Sequence, residues 1–167
     1  MHKMTQANLE AAFAGESQAH MKYLFFADRA EREGFPNVAR LFRAISYAEQ
    51  VHATNHFKAL GNLGETLANL VAAIGGETYK VEEMYPAFGA VAELQEERAA
   101  IRSNKWALEA ERVHAGMYEM ARQAVLAGQD AEVGDVHICQ VCGWTVEGEP
   151  PERCPLCGAK REQFTAF

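Results

Sequence analysis

Nowhere in its 167 residues does the chain hold an apolar run of membrane-spanning length, nor the pattern of a signal peptide. Basic blocks are missing too. The formal net charge is −7, and with no lysine- and arginine-rich stretch to release counterions, nucleic acid is excluded as a main partner. Cysteine is absent from the first 138 residues, and all four stand in CQVC and CPLC near the end. Without a secretory leader, two CxxC pairs read as a metal knot rather than as disulfides. The expected location is cytoplasmic. What is present is ordinary for a globular protein, with 49% apolar and 23% charged residues, and the length allows one core plus a small satellite.

The informative feature is a repeat. AEQVH at 48–52 returns as AERVH at 110–114, so Glu49 and His52 match Glu111 and His114 at an offset of 62. TQANLEAAFAGES (5–17) likewise returns as TLANLVAAIGGET (66–78), pairing Glu16 with Glu77 at an offset of 61. Each half therefore reads as a lone glutamate followed by a Glu-x-x-His pair, the mark of a duplicated helical hairpin.

Periodicity gives the helices. Leu9, Phe13, Glu16, His20 and Tyr23 fall on one face, as do Leu41, Ile45, Glu49 and His52. GFP at 34–36 ends the first helix and starts the second, Pro36 being acceptable in a first turn. Glu77, Val81, Met84, Phe88 and Val91 form a third stripe, and Glu111, His114, Tyr118 and Val125 a fourth. Pro86 predicts a kink or joint in helix three. The turn into helix four falls near 93–97, and residues 61–76, rich in glycine, read as a connection with a short helix of its own. The expected fold class is an all-α four-helix bundle over residues 1–127, a linker at 128–137 and a small metal-knot domain at 138–167.

Four carboxylates within apolar stripes are costly unless cations lie among them. Two divalent ions balance four acids, and two neutral imidazoles add ligands without charge. On a helix, residues three apart lie on adjacent turns of one face, so each Glu-x-x-His pair grips one site. The arrangement matches the di-iron and di-manganese carboxylate bundles. Gly15 and Gly76, just before the lone acids, leave room for a close neighbour.

In the tail, Cys139, Cys142, Cys154 and Cys157 offer four thiolates, with glycines after the second cysteine of each pair where tight turns aim amides at sulfur. Some 30 residues cannot fold on apolar burial alone, so metal supplies much of the stability. Trp144, Phe164 and Phe167 are the expected miniature core. Ligand type alone admits zinc or iron, and a neighbouring oxygen-chemistry site favours iron.

Together the AGES and GGET acids, the two Glu-x-x-His pairs, MYP at 84–86 and the C-terminal knot make the chain resemble the rubrerythrins over its full length. The resemblance implies a ferritin-like bundle with a non-haem di-iron centre, fused to a rubredoxin-like domain with one iron. It implies an oxidoreductase of the NADH-linked peroxidase type acting in oxidative stress defence. Hydrogen peroxide is reduced to water, with electrons from a reductase or rubredoxin passing through the four-cysteine site. By the same resemblance Glu49 and Glu111 bridge the irons, and Glu16, Glu77, His52 and His114 are terminal ligands. Tyr23 and Tyr85 then hydrogen-bond ligand carboxylates. In one position the chain departs. Rubrerythrins carry a further glutamate three residues after the third-helix acid, where this sequence has Lys80, and Glu82 or Glu83 replaces it only if that helix is distorted. Without that carboxylate, His52 is expected to stay bound in both oxidation states. His114 lies about 18 Å of helix from the start of the linker, at 1.5 Å per residue. A knot beyond that helix end is nearer another subunit's centre, so a homodimer with electron transfer between chains is expected. The competing readings are a ferroxidase oxidising Fe(II), and a non-catalytic metal-binding protein with a zinc ribbon.

Overall fold

A computed structural model describes residues 1–167. Helix α1 spans Lys3–Arg32 and α2 spans Pro36–Leu60. The turn between them is GFP, as the sequence predicts. Gly34 takes φ 83°, a left-handed conformation open to glycine without steric cost, and Pro36 opens α2 where no amide hydrogen is needed. Next come α3 (Thr66–Tyr79), a π-helical turn (Lys80–Met84), α4 (Tyr85–Leu94) and α5 (Arg98–Leu126). Strands β1 (Val136–Cys139), β2 (Thr145–Glu147) and β3 (Phe164–Ala166) form an antiparallel sheet in the order β2-β1-β3. No helix is long and apolar enough to cross a membrane. The chain divides into two compact units, Met1–Gly64 and Glu65–Phe167.

The first unit is the α1–α2 hairpin. Its seam is made of small residues, Ala27, Ala30, Ala39, Ser46 and Ala53, which let the two backbones approach closely. Ser46 also links the helices through polar bonds. Its hydroxyl donates to the His20 carbonyl oxygen at 2.9 Å, while the His20 ring Nδ1 lies 2.9 Å from the Ser46 carbonyl oxygen. The apolar stripe expected to be buried is not consumed here: Leu41 is 60% and Ile45 42% exposed. Two helices alone cover only a seam, and large side chains beside it still face outward.

In the second unit, α3, the π turn and α4 run as one helix against α5. The long connection expected over 61–76 is corrected: α3 begins at Thr66, leaving only 61–65 between helices. Gly75 and Gly76 sit inside the helix, where neighbouring apolar residues outweigh their poor propensity. The turn at 93–97 falls where expected, and with no glycine available Glu96 takes φ 56°. The π turn explains the change of repeat offset. Glu16 and Glu77 are 61 apart, whereas Tyr23 and Tyr85 are 62 apart, as are Glu49 and Glu111. One residue has been inserted between Glu77 and Tyr85, and the Tyr85 amide reaches back five residues to the Lys80 carbonyl to absorb it. Pro86 follows at that joint.

In the tail, Trp144 and Phe164 pack edge to face with centroids 6.2 Å apart. Phe167 does not join them. Its backbone pairs with Val136 at the end of β3, while its side chain is 79% exposed.

Candidate di-metal and four-cysteine centres

The ligand residues predicted from the sequence gather into three groups. Glu16 from α1 meets Glu49 and His52 from α2. Glu77 from α3 meets Glu111 and His114 from α5. In each triad one candidate ligand atom per residue lies within 4.8 Å of the others. Lone acid and Glu-x-x-His meet because each stands near the middle of a long helix and the helices of each pair are antiparallel. In the first triad, His52 Nδ1 is 2.9 Å from Glu49 Oε2 and 3.9 Å from Glu16 Oε1. In the second, His114 Nδ1 is 2.8 Å from Glu111 Oε2.

The second triad has a cation of its own. Lys80 Nζ donates to Glu77 Oε2 at 2.8 Å and to Glu111 Oε1 at 3.1 Å. So Lys80 turns onto the carboxylates instead of into solvent. The helix carrying Glu82 and Glu83 is indeed distorted, yet both remain exposed and join neither triad. Burial raises the Glu77 pKa, helped by its hydrogen bond with Glu111 and opposed by Lys80. Burial also pushes on Glu111, but hydrogen bonds from Glu77, His114 and Lys80 prevail and lower its pKa. The two acids are thus pushed apart, Glu77 upward and Glu111 downward. Tyr85 is close enough that burial and then the Glu111 charge raise its phenol pKa. Tyr23 packs against Phe26 and Phe42, each at 6.1 Å between centroids. Neither tyrosine makes the hydrogen bond to a ligand carboxylate that the resemblance implies. At Gly15 and Gly76 an added Cβ meets nothing within 4 Å, so the space beside both lone acids is open.

In the third group, Cys139 and Cys157 sulfurs are 3.6 Å apart, as are those of Cys142 and Cys154. A disulfide needs about 2.05 Å. A tetrahedron with metal–sulfur bonds of about 2.3 Å has edges of about 3.8 Å, so the four sulfurs fit one ion. Gly143 and Gly158 take φ 77° after the second cysteine of each pair, and their amides close back on the Cys139 and Cys154 carbonyls. Burial alone would raise the Cys139 pKa, but amides of Val141 and Cys142 aimed at its sulfur lower it.

One residue escaped the sequence reading. Thr145, on β2 and 3% exposed, places its Oγ1 2.7 Å from His114 Nε2. The linker therefore brings the sheet back along α5 instead of carrying it past the helix end. Electron transfer between chains was expected from that distance. The small domain touches a triad histidine of its own chain through Thr145, which leaves transfer between chains a proposal. No sequence pattern announces this contact, because Thr145 reads as an ordinary strand residue.

Paired Glu and Glu-x-x-His residues on antiparallel helices, in a chain that also carries a four-thiolate knot, define a di-metal carboxylate protein of the ferritin-like class with a small metal-binding appendage. The rubrerythrin family model matches residues 7–122, and the model for the rubredoxin-like domain of rubrerythrin matches 137–165. The chain belongs to the rubrerythrin family. It is 41% identical to rubrerythrin-2 of Clostridium acetobutylicum, covering 98% of this chain and 97% of that one. To nigerythrin of Nitratidesulfovibrio vulgaris it is 34% identical, covering 98% and 86%. The solved structure of fully reduced, all-ferrous nigerythrin aligns with a TM-score of 0.56 at 33% identity, covering 98% of this chain and 86% of that one. The protein is thus an oxidoreductase-type family member whose triads and knot offer the ligands of a di-iron centre and of a single iron.

Proposed function

We propose that the protein is a peroxidase of oxidative stress defence, acting in the cytoplasm and reducing hydrogen peroxide to two waters with two electrons and two protons. Glu16, Glu49 and His52 in one unit, and Glu77, Glu111 and His114 in the other, are the residues that would hold two irons, and the four cysteines would hold a third. The helical part over 1–127 carries the reaction, and the domain at 138–167 feeds it through the linker at 128–137. Bound iron would supply a reducible, Lewis-acidic pair of ions. The residues supply the rest. Tyr85, whose phenol holds its proton more tightly beside Glu111, is a proton-bearing side chain at the second triad. Lys80 balances carboxylate charge and bridges Glu77 and Glu111. With no carboxylate at position 80, His52 serves as ligand in both oxidation states. Oxidised and reduced crystals test this, and a metal that moves between a carboxylate and His52 contradicts it.

The observation that carries the reading is the contact between the thiolate-bearing domain and a triad histidine, which gives electrons a short way in. A reductase or rubredoxin, ultimately drawing on NADH, is the proposed donor. A homodimer is supported by the apolar faces left open on both units, such as Leu41 and Phe88. The test compares turnover with peroxide plus reduced rubredoxin against oxidation of free Fe(II). Faster peroxide turnover is expected, and the reverse makes the protein a ferroxidase.

A further inference from the structure

We propose that Thr145 is a positioning residue that sets the tautomer of His114 and ties the four-cysteine domain to the second triad. The proposal rests on the reading that this triad holds a metal. His114 has two ring nitrogens with different duties. Nδ1 faces the triad, 2.8 Å from Glu111 Oε2, and Nε2 faces Thr145 Oγ1 at 2.7 Å. The threonine hydroxyl has one hydrogen, and it is committed to the Gly143 carbonyl oxygen at 3.2 Å. What Thr145 offers His114 is therefore an oxygen lone pair, and Nε2 must carry the hydrogen. When a metal takes the place of the Nδ1 hydrogen that faces Glu111 Oε2, the Nε2–H held by Thr145 leaves the Nδ1 lone pair to that metal, which is the form a ligand needs.

The surroundings strengthen the bond. Thr145 is buried, and the contact borders a recess of about 230 Å³ lined by Met117, Tyr118, Val136 and Ile138. Water competes poorly there, and a low local dielectric makes the hydrogen bond worth more. The second bond of the hydroxyl matters equally. Gly143 directly follows the ligand Cys142, so two hydrogen bonds join the turn around the knot to an imidazole ligand on α5. Loading the triad and docking the small domain are thereby linked, and each favours the other.

The test uses the full-length protein with its knot already filled with iron, titrated with Co(II) against a competing chelator. Thr145→Val keeps the size and branching of the side chain but removes the hydroxyl. It is expected to weaken Co(II) binding at the second triad by roughly 10–100-fold, as loss of a histidine's outer partner does. Thr145→Ser keeps the hydroxyl and is expected to bind as the wild type does. The visible band of the ferric knot reports whether each variant is folded. Wild-type affinity in Thr145→Val, or an equal loss in Thr145→Ser, overturns the role of Thr145 while leaving the metal reading intact. A wild type that takes up no Co(II) overturns both. Nitrogen-15 spectra of the zinc-loaded wild type give a second check that needs no variant. A proton on Nε2 is expected, and a proton on Nδ1 overturns the proposal.

Discussion

Lys80 is the residue at which this chain most changes the chemistry of its site. Its ammonium shares the face of Glu77 and Glu111 and competes with any metal for the same oxygens. Replacing it by methionine keeps the length and removes the charge. Lys80→Met is expected to raise metal affinity at the second triad by about three- to tenfold, a charge-assisted bond discounted for partial exposure, as read by Co(II) competition. The Glu77 pKa adds a pH dependence. Its folded value is raised, and a metal needs the ionised carboxylate, so binding strengthens as pH rises through that value and weakens below it. Proton release on loading, measured in weakly buffered solution, checks the sign. Glu96 is a simpler case. It holds φ 56° with a full side chain, so Glu96→Gly is expected to stabilise the protein by about 0.5–1 kcal/mol in denaturant unfolding.

Among the elements, the helices were legible because each lone acid and each Glu-x-x-His fell inside an apolar stripe, and because GFP and the end at Leu126 punctuate the pattern. Less legible was α3. Its glycines look like a connection, and only the alignment of 66–78 with 5–17 says helix. The π turn was hidden in the mismatch between offsets of 61 and 62, a signal that needs Tyr23 and Tyr85 to place it. Deleting Glu82, exposed within that turn, should restore plain α-helix and leave Tyr85 seven residues after the acid, as Tyr23 stands after Glu16, so Tyr85 keeps the face of Glu111. Helicity by circular dichroism is expected to stay near wild type and the pKa of Tyr85, followed by its ultraviolet titration, to stay raised; a return to the usual phenol value would contradict this reading of the turn. In the first hairpin, Ser46→Ala removes the hydroxyl link to α1. It is expected to cost about 1–2 kcal/mol in thermal unfolding, since the site is 1% exposed and water cannot replace the bond.

For the whole molecule, the four cysteines and their spacing were enough to foresee their clustering, and the residues that gather in each triad were legible from the repeat. Tertiary contacts were not. Thr145 against His114, Lys80 across Glu77 and Glu111, and the outward face of Phe167 depend on how segments distant in sequence meet, which spacing does not encode. The account as a whole rests on one idea: the acids and imidazoles exist to hold redox metal, and the knot exists to supply its electrons. Protein purified without air, loaded with iron and reduced, tests it when mixed with equimolar hydrogen peroxide while the visible band of the knot is followed. The band is predicted to return rapidly in the wild type and to return slower by roughly a hundredfold or more in Glu49→Ala and Glu111→Ala, whose knots remain intact. Return at the same rate in all three proteins would contradict the account.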